Sequence, residues 1–222
     1  MYDGNAAFEP ASVVLRIAPS FLRFGSFEIF LPRDRITGRE GPSVGRKDML
    51  NSLIDFTIAQ HYGDVWRAHT ANADADADAG EGEGTGGADG RGAMVAAFFT
   101  QVVERTARMV AGWQAVGFCH GVLNTDNMSV LGLTIDYGPY GFLDRYDPGF
   151  VCNGSDDSGR YRFEAQPSIC KWNCGKFAEA LALAGGAVEE GALKAIVEAR
   201  FDAVYEAEHL RRMRLKLGIV GE

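Results

Sequence analysis

From Met94 to Val116 apolar residues return every three or four positions. Val95, Phe98, Val102, Met109, Val110, Trp113 and Val116 then share one side of a helix about six turns long. Gly117 ends it, since glycine takes the left-handed backbone that closes a helix without steric cost. A helix with so long an apolar face must pack against others, and the same periodicity supplies them. Met49, Leu50, Leu53, Ile54 and Ile58 predict a helix from Lys47 to about His61, with Asp48 or Ser43 as its cap. Two more are predicted over about Asn173–Leu183 and Glu189–Lys216, parted at Gly185-Gly186. Extended structure is expected only in short pieces, Ser12 to Ile17 before Pro19 and Leu131 to Ile135. The fold class is therefore mainly α with short strands. Chain length and composition, 222 residues with 46% hydrophobic and 23% charged, suit one compact domain.

Residues 71–92 break this pattern. They are Ala, Asp, Gly and Glu with no large apolar side chain, a composition that cannot offset the entropy of ordering, so a disordered acidic insertion is expected there. After its Asp-Ala-Asp-Ala-Asp run the Gly and distant Glu that a calcium loop needs at fixed spacing are not in register. Residues 71–92 as a whole carry −5 of the formal net charge of −8. No basic surface suggests a nucleic-acid partner, and the remaining −3 says little about other partners. No apolar run approaches the ~18 residues of a membrane span. Met1 to Asn5 resembles neither a secretory leader nor an Arg-rich transit peptide, and the chain is expected to be soluble. Cys170 and Cys174 have no second pair to complete a zinc site, so Cys119, Cys152, Cys170 and Cys174 read as structural thiols.

Chemistry concentrates after Gly117. His120-Gly-Val-Leu-Asn-Thr-Asp126-Asn127 is followed nine residues later by Asp136-Tyr137-Gly138. Protein kinases use H-R-D-x-x-x-x-N and D-F-G, in which the Asn and the second Asp hold Mg²⁺ at the nucleotide phosphates. Counted from His120, Asn127 and Asp136 stand where the metal ligands belong. The position of the kinase base is Val122, which accepts no proton, and a carboxylate reappears at Asp126. Asp126 is thus a candidate proton acceptor, or else a loop residue bonded to a nearby amide. His120 reads as structural. Arg16 and Arg23, seven apart, can present two guanidinium groups to phosphate oxygens from two helical turns or a bent loop.

Longer blocks carry a resemblance. Leu15-Arg-Ile-Ala-Pro-Ser-Phe-Leu-Arg-Phe-Gly-Ser-Phe-Glu28, Val116 to Met128, Ile135 to Asp144, Gln166-Pro167 and Trp172-Asn173 together resemble, in order, the selenoprotein O family of kinase-like protein adenylyltransferases. The resemblance implies the lower (C-terminal) lobe of a protein-kinase-like fold and transfer of AMP from ATP to Ser, Thr or Tyr hydroxyls of proteins. It implies Mg²⁺ or Mn²⁺ as cofactor, with Asn127 and Asp136 as metal ligands. Arg16, Arg23 and Asp136 become nucleotide ligands, and Asp126 becomes the catalytic base. Family members resemble mitochondrial proteins in eukaryotes and cytoplasmic ones in bacteria.

Only 15 residues precede Arg16, and the first lysine is Lys47, so no glycine-rich phosphate loop or strand lysine is in view. The expectation is a partial domain over 1–222, hinge and lower lobe, lacking the upper lobe and the C-terminal part. By itself such a chain is expected to bind ATP weakly. Two functions stay open: an adenylyltransferase, and a non-catalytic remnant serving as a nucleotide-binding or interaction module. An ordinary kinase is opposed by Val122.

Overall fold

The computed structural model describes residues 12–13, 15–35, 38–71, 88–186 and 188–219. Among these the chain is mainly helical, with one two-stranded sheet. Six helices follow one another: α1 (Gly25–Glu28), α2 (Lys47–His61), α3 (Gly63–Thr70), α4 (Ala88–Val116), α5 (Gln166–Ala182) and α6 (Glu190–Lys216). Strands β1 (Phe118–Cys119) and β2 (Gly141–Phe142) pair antiparallel, Phe118 opposite Phe142 and Cys119 opposite Gly141.

The long helix α4 is the axis of the structure. It packs against α5 and α6 and, at its start, against α3. Val95, Phe98, Val102 and Val110 are fully buried, as their spacing demands, while Val116 at the last turn is 55% exposed. Gly117 closes the helix at φ 72°. Phe177 of α5 lies at the centre of the core. Its ring stacks on Phe24 at 4.6 Å between centroids and meets Phe27, Phe98 and Phe99 at 5.0, 6.2 and 5.9 Å. Such a cluster buries large apolar area and adds ring-to-ring attraction. No helix among the described residues is long and apolar enough to cross a membrane.

Several expectations need correction. Helix α2 has its expected bounds, but Arg46 precedes it without a capping side chain. Asp48 instead binds the Arg46 guanidinium, and Ser43 offers Arg46 only its carbonyl. Met49 is 42% exposed, leaving the buried face to Leu50, Ile54 and Ile58. The strand expected over 12–17 does not form among the described residues there, and Val13, Leu15 and Ile17 face solvent. Apolar alternation alone makes no strand; a ladder partner is required. Leu131 to Ile135 gives one bridge, Met128 to Thr134, in place of a strand. Helix α5 starts at Gln166, seven residues earlier than expected, with Pro167 in its first turn, where its missing N–H is harmless. Of the insertion read over 71–92, residues 88–92 are helical and open α4, while 72–87 lie outside the described residues.

Candidate functional site

The stretch from His120 to Tyr140 leaves β1 and returns into β2, so one strand pair holds both its ends. Inside it, hydrogen bonds draw the two motif halves together. His120, 1% exposed, bonds the Ile135 carbonyl through Nε2 at 2.8 Å, and the Val122 N–H reaches its Nδ1 at 3.4 Å. The imidazole is thus neutral with the proton on Nε2. Burial pushes its pKa below the usual value, against the opposing pull of the Ile135 bond and the Asp136 charge. The structural reading of His120 holds: it fastens the loop to the residue before Asp136.

Asp136 itself sits at φ 56°, the one non-glycine residue with positive φ among those described. Its carbonyl accepts the Gly138 N–H at 2.8 Å in a tight turn, and its side chain is exposed. Strain of this kind persists where the surroundings enforce it, often at functional positions. Asp126 and Asn127 share a single 3-10 turn, Thr125–Asn127. Asn127 is 6% exposed, and its Nδ2 donates to the Val122 carbonyl at 3.1 Å. That bond fixes the amide so that Oδ1, an oxygen suited to a hard cation, is the atom left to ligate. Asp126 is exposed, and among the described residues its carboxylate makes no hydrogen bond.

The arginine block reaches the same place by backbone pairing. Phe24 N–H donates to the Met128 carbonyl at 2.9 Å and Val130 N–H to the Leu22 carbonyl at 3.1 Å, with Arg23 bridged to Ser129. Arg23 is half-buried beside the loop. Arg16, exposed, lies on the ring of Tyr137, 4.7 Å from its centroid. The segment from Arg16 to Arg23 is not helical and bends at Pro19, so of the two arrangements expected it is the bent loop that forms. Asp126, Asn127 and Asp136 thus lie on the loop itself, while Arg23 is joined to it through the backbone at Ser129 and Arg16 through the Tyr137 ring.

Among the described residues no three or more His, Cys, Asp or Glu are grouped to hold a metal ion. The amide oxygen of Asn127 and the carboxylate of Asp136 are of the oxygen-donor type that fits Mg²⁺, which keeps its waters and takes one or two protein ligands beside phosphate oxygens.

Residues outside the motif hold the loop. Gln166, fully buried, accepts the His120 N–H at 2.9 Å and donates to the Phe118 carbonyl at 2.8 Å. Asn173, two turns along α5 and equally buried, donates to the Leu123 carbonyl at 2.9 Å. Asn153 donates to the Gly121 carbonyl at 3.2 Å. Sequence reasoning gave these no role. A signal existed: Gln166 and Asn173 interrupt the buried stripe of Cys170, Cys174 and Phe177, and most buried polar side chains hold at least one hydrogen-bond partner. Glu28 was missed as well. Burial raises its carboxyl pKa, a hydrogen bond from Thr125 lowers it, and the Asp126 charge raises it again, which puts Glu28 beside the turn that carries Asp126. The four cysteines are free and buried, in keeping with structural thiols, and burial pushes the Cys174 thiol up to about 12.

Comparison with known proteins fits this arrangement. The family model described as Protein adenylyltransferase SelO matches residues 2–222. The mitochondrial protein adenylyltransferases SelO of Mus musculus and Homo sapiens are each 52% identical over 219 residues, 99% of this chain and 30% of theirs. The protein nucleotidyltransferase YdiU of Myxococcus xanthus is 41% identical over 213 residues, 96% of this chain and 36% of its own. The chain thus spans about a third of the length of these relatives. With the match running through every element that builds the loop, it belongs to the SelO family.

Proposed function

We propose that this chain carries the catalytic loop of a protein adenylyltransferase that moves AMP from ATP to a Ser, Thr or Tyr hydroxyl of a protein, within a kinase-like lower lobe. The observation that supports the reading is the bond from His120 to the Ile135 carbonyl, which ties the start of the loop to the residue before the positive-φ Asp136. In this reading the acceptor hydroxyl oxygen attacks the α-phosphorus, the bond to the β-phosphate bridging oxygen breaks, and pyrophosphate leaves. Asp126 takes the hydroxyl proton. Asn127 Oδ1 and Asp136 would hold Mg²⁺ or Mn²⁺, which supplies positive charge to the phosphates. Arg16 and Arg23 bind phosphate oxygens, with Arg16 leaving the Tyr137 ring to do so. Val122 at the kinase base position disfavours γ-phosphoryl transfer. Relatives named mitochondrial suggest that compartment for a eukaryotic source, and YdiU-type relatives suggest the cytoplasm for a bacterial one.

The test replaces the matching segment of the mouse relative with this chain and supplies ATP labelled at the α- or the γ-phosphate. Label reaching protein from the α-position alone supports AMP transfer. Label from the γ-position would make the loop a kinase loop, and label from neither would favour the non-catalytic module.

A further inference from the structure

Gly25 opens α1 and is buried, yet its backbone does not call for glycine. Its φ lies outside the left-handed region, and alanine is the better helix former. What stands against it is Asp126. A Cβ at position 25 would lie 2.0 Å from Asp126 Oδ1, 3.0 Å from Cγ and 3.3 Å from Cα. Only hydrogen at that position leaves the carboxylate where it is.

Neither side can easily back away. The residue before Gly25 is tied to the loop by the Phe24 N–H bond to the Met128 carbonyl, and Phe24 and Phe27 on either side of it pack against Phe177. The Asp126 backbone is held in its 3-10 turn by the Asn127 N–H bond to the Asn124 carbonyl at 3.0 Å and by the Met128 N–H bond to Thr125. The exposed carboxylate is the part free to move, so an added methyl group turns it toward solvent. We propose that Gly25 is a positioning residue: its missing side chain is the seat of the Asp126 carboxylate and sets where the proton acceptor points. The value of that seat to catalysis rests on the reading of Asp126 as proton acceptor, while the seat itself is tested without turnover.

Two measurements on the 222-residue chain decide it. The first is the ¹³C carboxylate resonance of Asp126, assigned by its loss in Asp126→Ala. Gly25→Ala is expected to move that resonance and to leave the Asn127 side-chain amide, bonded to Val122, in place. The second is Tm for the wild type, Gly25→Ala, Asp126→Ala and the double variant. The Tm shift caused by Gly25→Ala is expected to be more positive in the Asp126→Ala background, where the 2.0 and 3.0 Å contacts are gone and the gain in helix propensity remains. An unmoved Asp126 resonance, or the same Tm shift in both backgrounds, would overturn the proposal. Failure of AMP transfer in the mouse chimaera leaves both readouts unaffected, so the two ideas fail separately.

Discussion

Replacing Gln166 with leucine removes two buried hydrogen bonds while keeping most of the side-chain volume. The amide of Gln166 is fully buried and serves the His120 N–H and the Phe118 carbonyl, at 2.9 and 2.8 Å. Leucine serves neither, and water has no route to a site with no exposed surface. A buried polar group left without a partner costs about 1–3 kcal/mol, so the two together cost about 2–6 kcal/mol. Against a total stability of about 5–15 kcal/mol for a domain, that is a large fraction. Burial sets the scale, as two other glutamines show. Gln114 donates to the Phe163 carbonyl at 2.7 Å from a half-buried position, where water can replace it, so Gln114→Leu should cost about 1 kcal/mol. Gln101 bonds Asp64 at the exposed surface, and Gln101→Leu should stay within about 0.5 kcal/mol. Urea denaturation followed by far-ultraviolet circular dichroism, fitted as two-state, measures all three. A Gln166→Leu loss no larger than that of Gln101→Leu would refute the reasoning, because the loop would then not depend on its two buried bonds.

Phe177→Ala should cost about 3–5 kcal/mol in the same assay, since it empties the space at the meeting of four other rings. His120 titrates below its usual pKa when folded, so the unfolded chain binds its proton first. The stability of the neutral buried ring is therefore full above about pH 6.5 and is lost as pH falls below it, at up to about 1.4 kcal/mol per pH unit. Between pH 7.5 and 5.5 a His120→Gln chain should show a shallower loss than the wild type; equal slopes would remove His120 as the cause. In the mouse chimaera Asp136→Ala should abolish most α-label transfer, while Gly25→Ala should lower kcat on the order of 10²-fold with KM for ATP within about twofold. A Gly25→Ala effect confined to KM would place the glycine in nucleotide binding instead.

Helices α2, α4 and α6 were legible because each is long enough for the 3.6-residue period to repeat several times. Helix α3 spans Gly63–Thr70, two turns, with Val65 its one buried residue, too little for a period to show. The strand read over 12–17 failed for a different reason: Val13, Leu15 and Ile17 have the right residue types, but strand formation depends on a partner that local sequence does not reveal. Within the site, the spacing of His120, Asp126, Asn127 and Asp136 was legible because the loop is contiguous. The clamps were not. Gln166 and Asn173 reach carbonyls and amides 46 to 50 residues away, and Tyr62 reaches the Val130 carbonyl across 68 residues. Such pairings follow from how α5 and α2 dock, which residue spacing alone does not encode.

The stack of Phe24 on Phe177 has a mechanical consequence. Through it, α1 and Gly25 are fastened to α5, the helix whose Gln166 and Asn173 already hold the first part of the loop at Phe118, His120 and Leu123. Asp126, Gly25 and the loop therefore share one mounting. A tilt of α5 carries all three along and leaves their mutual alignment intact, whereas local fraying of the loop must break bonds into the core. Amide protons from Phe118 to Val130 should accordingly exchange in step with those of α5, opening as a single unit near the global limit.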